Sequence, residues 1–323
     1  MPRSPAWLTP GTVLLDDRCP LPLDRPFTRQ QAAALGVGPK LLRRAAELSL
    51  VREVVRGAYA VAQLRDTIEL RAGALSLVVS DGAVVTDRTA AWLHDIDVLP
   101  RRAVHEPVPV DVFSAGSSRL RRPGVNSGIR SLRDDEVVEI GGVALTSMTR
   151  TALDLGRMMT RYDAIGALDA FLRAGVPRHE LEWGVHRFKG YRGVIQLREL
   201  VIFADPRAES MPESALRLHG FDGGLPLLVP QVWVEDVRRV DLGVPELRYA
   251  AEYLGERFHG EDDQREDDAG RREWLEDRWW VVDDFWKDDL YGPHAHPAAT
   301  MRTGIARARE QLGAWRPQGR FLS

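Results

Sequence analysis

The stretch Arg238–Gly255, RRVDLGVPELRYAAEYLG, constrains this chain more than any other. Arg239–Gly243 and Leu247–Tyr253 read as strands, and Val244-Pro245-Glu246 breaks them as a hairpin turn. An isolated hairpin is marginal in water, so further strands and helices must cover it. Asp241 and Glu252 lie on either side of the turn, and His259 follows shortly after. Such a hairpin brings both carboxylates toward one end of a sheet, facing a common hard cation. Mg²⁺ (or Mn²⁺) takes one or two carboxylates and fills its shell with water and phosphate oxygens, so the pattern suits phosphodiester chemistry. The competing reading is of exposed acids at ordinary strand ends, with His259 a solvated loop residue.

From Glu213 onward the chain supports this hairpin. ESALRLHGFDGG reads as an amphipathic helix closed by Gly223-Gly224. Pro230–Glu235 adds a strand, Asp263–Arg278 a polar helix-compatible stretch, WWVVDDF a further strand, and Ala298–Leu312 a last helix. That order, α-β-β-β-α-β-α, describes an α/β unit with a mixed central sheet. Glu213 adds a third carboxylate, for a second metal or as a base, and His259 a group able to move a proton. Trp280 and Val282 alternate as sheet-face residues, so the indoles of Trp274–Trp286 read as core packing. His294-x-His296 lies in a Pro-rich loop without the further ligands of a metal site.

A second pattern opens the chain. Residues 1–26 are Pro-rich and read as an irregular arm. In FTRQQAAALG, Thr28 suits an N-cap and Gly36 a helix stop. In GPKLLRRAAELSL, Pro39 suits the first turn, and Leu41, Leu42, Ala45, Ala46 and Leu48 form an apolar face. Lys40, Arg43 and Arg44 are left on the other side. LVREVVRGAYAV then reads as a hairpin turning at Arg56-Gly57, with Arg52 and Arg56 on it. Two short helices and a two-stranded wing describe a winged helix-turn-helix, with these basic residues as DNA contacts.

The 323 residues imply two or three domains. A net charge of −3 argues against nucleic acid only until its distribution is read. The N-terminal part and the strip Arg119–Arg133 are basic, whereas Glu252–Leu290 is dominated by acids. The basic strip reads either as a phosphate-binding segment or as a solvent-facing loop. The acidic run at 261–268 reads as a solvated helix or loop. One cysteine, Cys19, excludes an internal disulfide framework and fits a reducing compartment. No apolar run is long enough to span a bilayer and no signal-peptide pattern opens the chain, so no membrane is expected and the location expected is the cytoplasm, at the nucleoid.

Two resemblances sharpen this reading. Residues from about 205 to 312 resemble the very-short-patch-repair-type branch of the PD-(D/E)xK nuclease superfamily. The matching residues are Ser210-Met211-Pro212-Glu213-Ser214-Ala215-Leu216-Arg217, the segment Val240 to Arg248, Glu252-Tyr253-Leu254-Gly255 with His259, and Trp279-Trp280-Val281-Val282. The resemblance implies a restriction-endonuclease-like fold with Asp241 and Glu252 on metal and Glu213 and His259 in catalysis. The superfamily's lysine falls at Leu254, and in this branch that position is more often aspartate. Leucine offers neither charge nor a ligand. Residues 27–61, with TDRTAAWLHDIDVLP and GGVALTSMTRTALDLG further on, resemble AbiEi-like antitoxins of type IV toxin–antitoxin systems.

The organisation expected is therefore an arm (1–26), a winged-helix domain (27–64), a middle α+β domain (65–204) and a nuclease-like α/β domain (205–323). The function expected is a DNA-binding, metal-dependent endonuclease in repair, phage defence or toxin–antitoxin biology. The alternative is a non-catalytic antitoxin-like repressor with a degenerate nuclease domain. Expected partners are DNA, a cognate toxin protein and a second copy of the chain.

Overall fold

A computed structural model describes residues 5, 7–9, 11–99, 106–114, 125–255, 270–292 and 294–314. His259, the acidic run 261–268 and residues 119–124 of the basic strip lie outside them. The chain is mixed α/β and divides into two compact units, Met1–Leu155 and Gly156–Ser323. Among the described residues no helix is long and apolar enough to cross a membrane.

The first unit begins with β1 (Phe27–Thr28), α1 (Arg29–Ala34), α2 (Pro39–Glu47), β2 (Val51–Val55) and β3 (Ala58–Val61). The three strands form an antiparallel sheet in the order β1-β3-β2. Thr28 starts α1 with a capping box, its hydroxyl accepting from the Gln31 backbone while the Gln31 side chain accepts from the Thr28 N–H. Helix α2 buries Leu42 and Ala45 and exposes Lys40, Arg43 and Arg44. Gly57, at φ +96°, makes the β2–β3 turn.

The N-terminal arm carries no helix or strand among its described residues, but it does not trail in solvent. Trp7, Leu8, Leu15, Cys19 and Leu21 are buried in one cluster with Phe27, Leu42, Leu50 and Val61. Two short helices and a small sheet offer little apolar surface, and the arm enlarges that core.

The rest of the unit is a five-stranded mixed sheet. It combines β4 (Ala83–Val85), β5 (Val110–Ser114), β6 (Val125–Ile129), β7 (Val137–Ile140) and β8 (Val143–Thr146) in the order β6-β5-β4-β8-β7. Helices α3 (Ile68–Ser76) and α4 (Asp87–Leu93) accompany it, and α5 (Met148–Met158) follows β8.

In the second unit, α6 (Arg161–Arg173), α7 (Arg178–Gly184) and α8 (Val194–Phe203) precede α9 (Met211–Asp222). The Pro-flanked break near 205–212, where the sequence suggests a domain boundary, lies inside this unit. The reason is a buried tie across it. Arg217 of α9 pairs with Asp169 of α6 at 2.8 Å, and Asp169 also accepts the Asp205 N–H at 2.7 Å.

The sheet of this unit has the order β12-β11-β10-β9, from β9 (Val229–Val234), β10 (Arg238–Val244), β11 (Tyr249–Gly255) and β12 (Val281–Trp286). β9, β10 and β11 are antiparallel, and β12 is parallel to β11. A parallel pair needs a crossover, and the chain between them includes a helix, α10, over 270–276. A short α11 (Lys287–Tyr291) and α12 (Pro297–Ala314) end the unit. One core joins Leu216, Leu242, Tyr249, Ala251 and Phe285 to Met301 and Ile305 of α12. A second joins Val234, Val240, Ala250 and Val282 to Leu275 and Trp280, so Trp280 and Val282 are core residues as their alternation implies.

Candidate functional site

The turn between β10 and β11 is a short 3-10 turn, Pro245–Leu247, followed by Arg248 in the left-handed region at φ +50°. It sets Val244 opposite Tyr249 and Leu242 opposite Ala251. Asp241 and Glu252 come next on the two strands. Because side chains alternate along a strand, they share the face opposite to Leu242 and Ala251. Asp241 accepts the Tyr253 N–H at 3.0 Å, which ties it to the neighbouring strand.

Glu213 reaches the same place from the first turn of α9. Ser210 caps that helix by accepting the Glu213 N–H. The Glu213 carboxylate accepts from the Glu209 N–H at 3.1 Å and from the Gln231 side-chain amide at 2.9 Å. Gln231 is itself strained, at φ +57°.

Electrostatics bind the three acids into one cluster. Burial pushes the Glu252 carboxyl up to about 7; Arg271 opposes the rise, and the charge of Asp241 adds to it. Burial raises Glu213, and Asp241 raises it further. Asp241 is also raised by burial, against the backbone bond from Tyr253 and the charge of Arg271. All three are thus costly to ionise where they stand.

Arg271, in α10, is the residue that sequence reasoning missed. Its Nη2 donates to Glu252 Oε1 and to the Arg239 carbonyl, both at 2.7 Å. It lies in a charged stretch that reads as a solvated helix, and no local motif points from it to Glu252. Among the described residues, no group of three His, Cys, Asp or Glu side chains is arranged to hold a metal ion. Asp241 and Glu252 remain a two-carboxylate set, which fits Mg²⁺ or Mn²⁺ with water and phosphate completing the shell.

No family model matches the chain. Two proteins of Mycobacterium tuberculosis are similar to it: "Uncharacterized protein Rv2248" of strain ATCC 25618 / H37Rv and "Uncharacterized protein MT2308" of strain CDC 1551 / Oshkosh. Each is 32% identical over 244 residues, spanning 74% of this chain and 87% of the relative. The chain belongs to their family. The shared stretch is too long for either compact unit alone to hold, so the family is defined across both.

The basic residues of the first unit separate into two kinds. Lys40, Arg43, Arg44 and Arg56 are exposed, with Arg44 in an i,i+3 pair with Glu47 at 3.2 Å. Arg52 is half-buried and donates to the Leu64 carbonyl, which makes it a structural residue as much as a surface one. In the strip Arg119–Arg133, Arg130 does not face solvent. It pairs with Asp87 at 2.8 Å and Asp154 at 3.0 Å and lies over the Phe113 ring at 3.9 Å.

Proposed function

We propose that this chain is a DNA-binding protein whose second unit carries a divalent-metal phosphodiesterase site of the PD-(D/E)xK kind. The observation that supports it most is the Asp241–Glu252 pair on adjacent antiparallel strands, Glu252 buried and Asp241 half-buried, backed by the buried Glu213. Holding three carboxylates, two of them buried, within electrostatic reach of one another disfavours folding unless a cation relieves it. Asp241 and Glu252 would hold Mg²⁺ or Mn²⁺. Bound there, the ion would polarise a phosphoryl oxygen and lower the pKa of a coordinated water. Glu213, held beside the pair from the first turn of α9, is assigned the proton acceptor. His259 keeps the roles its chemistry allows, positioning or deprotonating water or protonating the leaving oxygen. In the first unit, Lys40, Arg43 and Arg44 on the open side of α2 and Arg56 on the β2–β3 turn would meet DNA phosphates, with Arg52 behind them.

The test is conversion of supercoiled plasmid to nicked or linear form with Mg²⁺ or Mn²⁺. We expect Asp241→Ala to abolish it. Absence of cleavage by the wild type, or cleavage unchanged by Asp241→Ala, would sink the enzyme reading.

A second reading has its own observation. Arg271 already neutralises Glu252, and Leu254 stands where the motif has a lysine. A non-catalytic antitoxin-like repressor, with a toxin protein or a second copy as partner, would keep the fold and use α2 alone. Specific retardation of the chain's own upstream DNA, without cleavage in metal, would favour that reading.

A further inference from the structure

Resting on the metal-site reading above, we propose that Arg271 supplies the fixed positive charge of the carboxylate cluster, from α10 instead of from the strand position two residues after Glu252. A lysine in that strand position would place an ammonium beside Glu252. Leu254 cannot. Yet the cluster is not without a cation, because Arg271 reaches the same carboxylate through a contact 19 residues away in sequence.

Three features separate this contact from an ordinary surface ion pair. The first is its reach: one Nη2 bridges Glu252 of β11 and the main-chain carbonyl of Arg239 on β10, both at 2.7 Å. The guanidinium therefore crosses the two strands next to the two carboxylates. The second is its environment. The Glu252 side chain is 8% exposed and that of Arg271 34%, so solvent screens the pair only in part. The third is spare capacity. Arg271 Nε is buried and has no hydrogen-bond partner among the described residues. A guanidinium whose only task was to neutralise Glu252 would pair in a fork, Nε with Nη, as arginine–carboxylate pairs commonly do. Here one oxygen of Glu252 is engaged, which leaves Oε2 free of this arginine for a cation.

Arg271 is accordingly a positioning residue. It holds Glu252 against the sheet through one oxygen and adds a permanent charge where a phosphate gains negative charge during cleavage. The same charge must repel a divalent cation, so it weakens metal binding while favouring the reaction.

The full-length wild type, Arg271→Gln, Arg271→Lys and the double variant Arg271→Gln with Leu254→Lys decide this. Two readouts are taken, Mn²⁺ affinity by calorimetry and plasmid nicking, with circular dichroism melting to confirm folding. Arg271→Gln should bind Mn²⁺ about tenfold more tightly. Its nicking kcat should fall about tenfold or more with the plasmid KM little changed. Arg271→Lys should resemble the wild type. The double variant should recover both properties, because Leu254→Lys restores the charge from the strand. A merely structural arginine would lower melting temperature and would not be rescued from Leu254. Unchanged Mn²⁺ affinity in Arg271→Gln, unchanged nicking, or no rescue by Leu254→Lys each overturns the proposal. If the wild type nicks nothing, the enzyme reading falls and the Mn²⁺ series alone decides the role of Arg271. If neither the wild type nor Arg271→Gln binds Mn²⁺, the proposal falls as well.

Discussion

Each compact unit buries an ionic cluster, and the two clusters are built to opposite ends. In the first unit, Arg130 takes both oxygens of Asp87 and shares Asp154 with Arg150, which also pairs with Glu136 at 2.6 Å. Two guanidiniums meet three carboxylates in direct hydrogen bonds, and Asp154 is almost wholly enclosed. In the second unit, three carboxylates meet one guanidinium. Two of them, Asp241 and Glu213, accept only from uncharged donors among the contacts described. The first arrangement is glue between α4, the end of β6 and α5. The second retains the larger excess of negative charge, three carboxylates to one guanidinium against three to two, which is how a protein keeps a place for a cation.

The largest effect expected from this contrast is at Asp154. Asp154→Ala would leave two buried guanidiniums short of a partner and should cost about 3–5 kcal/mol in urea unfolding. A loss below about 1 kcal/mol would erase the distinction between the clusters.

In the second unit removal of a charge should do the reverse. Glu252→Gln should stabilise the protein at pH 8, by up to about 3 kcal/mol. A carboxyl raised to about 7 in the folded state binds its proton more tightly there than in the unfolded chain. Its stabilising contribution is complete below its ordinary value near 4.5 and is lost as pH rises through about 7. The advantage of Glu252→Gln should therefore vanish near pH 5, and an advantage independent of pH would contradict the linkage.

A smaller effect sharpens the same point. Mg²⁺ at tenfold excess over its Kd should stabilise the wild type at pH 8 by about 1.4 kcal/mol, read as a melting shift of a few degrees. It should do nothing for Asp241→Ala. An equal shift in both would assign the ion elsewhere.

The smallest stability effect is expected on the exposed face of α2. Arg43→Ala with Arg44→Ala should change unfolding free energy by no more than about 0.5 kcal/mol, yet lower the salt slope of DNA binding by about 2. Arg52→Ala should instead cost stability, because its guanidinium donates to Leu64 inside the unit. An unaltered salt slope in the α2 double variant would remove that helix from the DNA-contact proposal.

Much of the fold was legible because it is local. The capping box of Thr28 and Gln31, the cap at Ser210, the stripe of Leu42 and Ala45, and the break at Pro245 all act on residues within a turn or two. The hairpin was legible for the same reason, and with it the meeting of Asp241 and Glu252. Glu213 could be offered as a third carboxylate from its place on the helix before the sheet, and the resemblance strengthened that, but nothing in α9 itself specifies which strand it packs beside. The irregular backbone of the N-terminal arm was legible, but its burial was not, because proline-rich composition reports on helix and strand, not on whether Trp7 and Leu8 find a core. Arg130 was misread as surface because a basic strip looks the same whether its acids lie in solvent or on α4 and α5.

Sequence alone was enough for the main elements around the hairpin, the antiparallel hairpin with its paired carboxylates, and the exposed basic face of α2. All of these follow from backbone preferences and side-chain periodicity over short spans. Tertiary structure alone decided which charges meet. It brought Arg271 to Glu252, Arg217 to Asp169 and Arg130 to Asp154, and so left one cluster close to balanced and the other more strongly acidic. The physical reason is that a charge acts through space and not along the chain, so its effect is set by packing at long sequence separation, which no local pattern records.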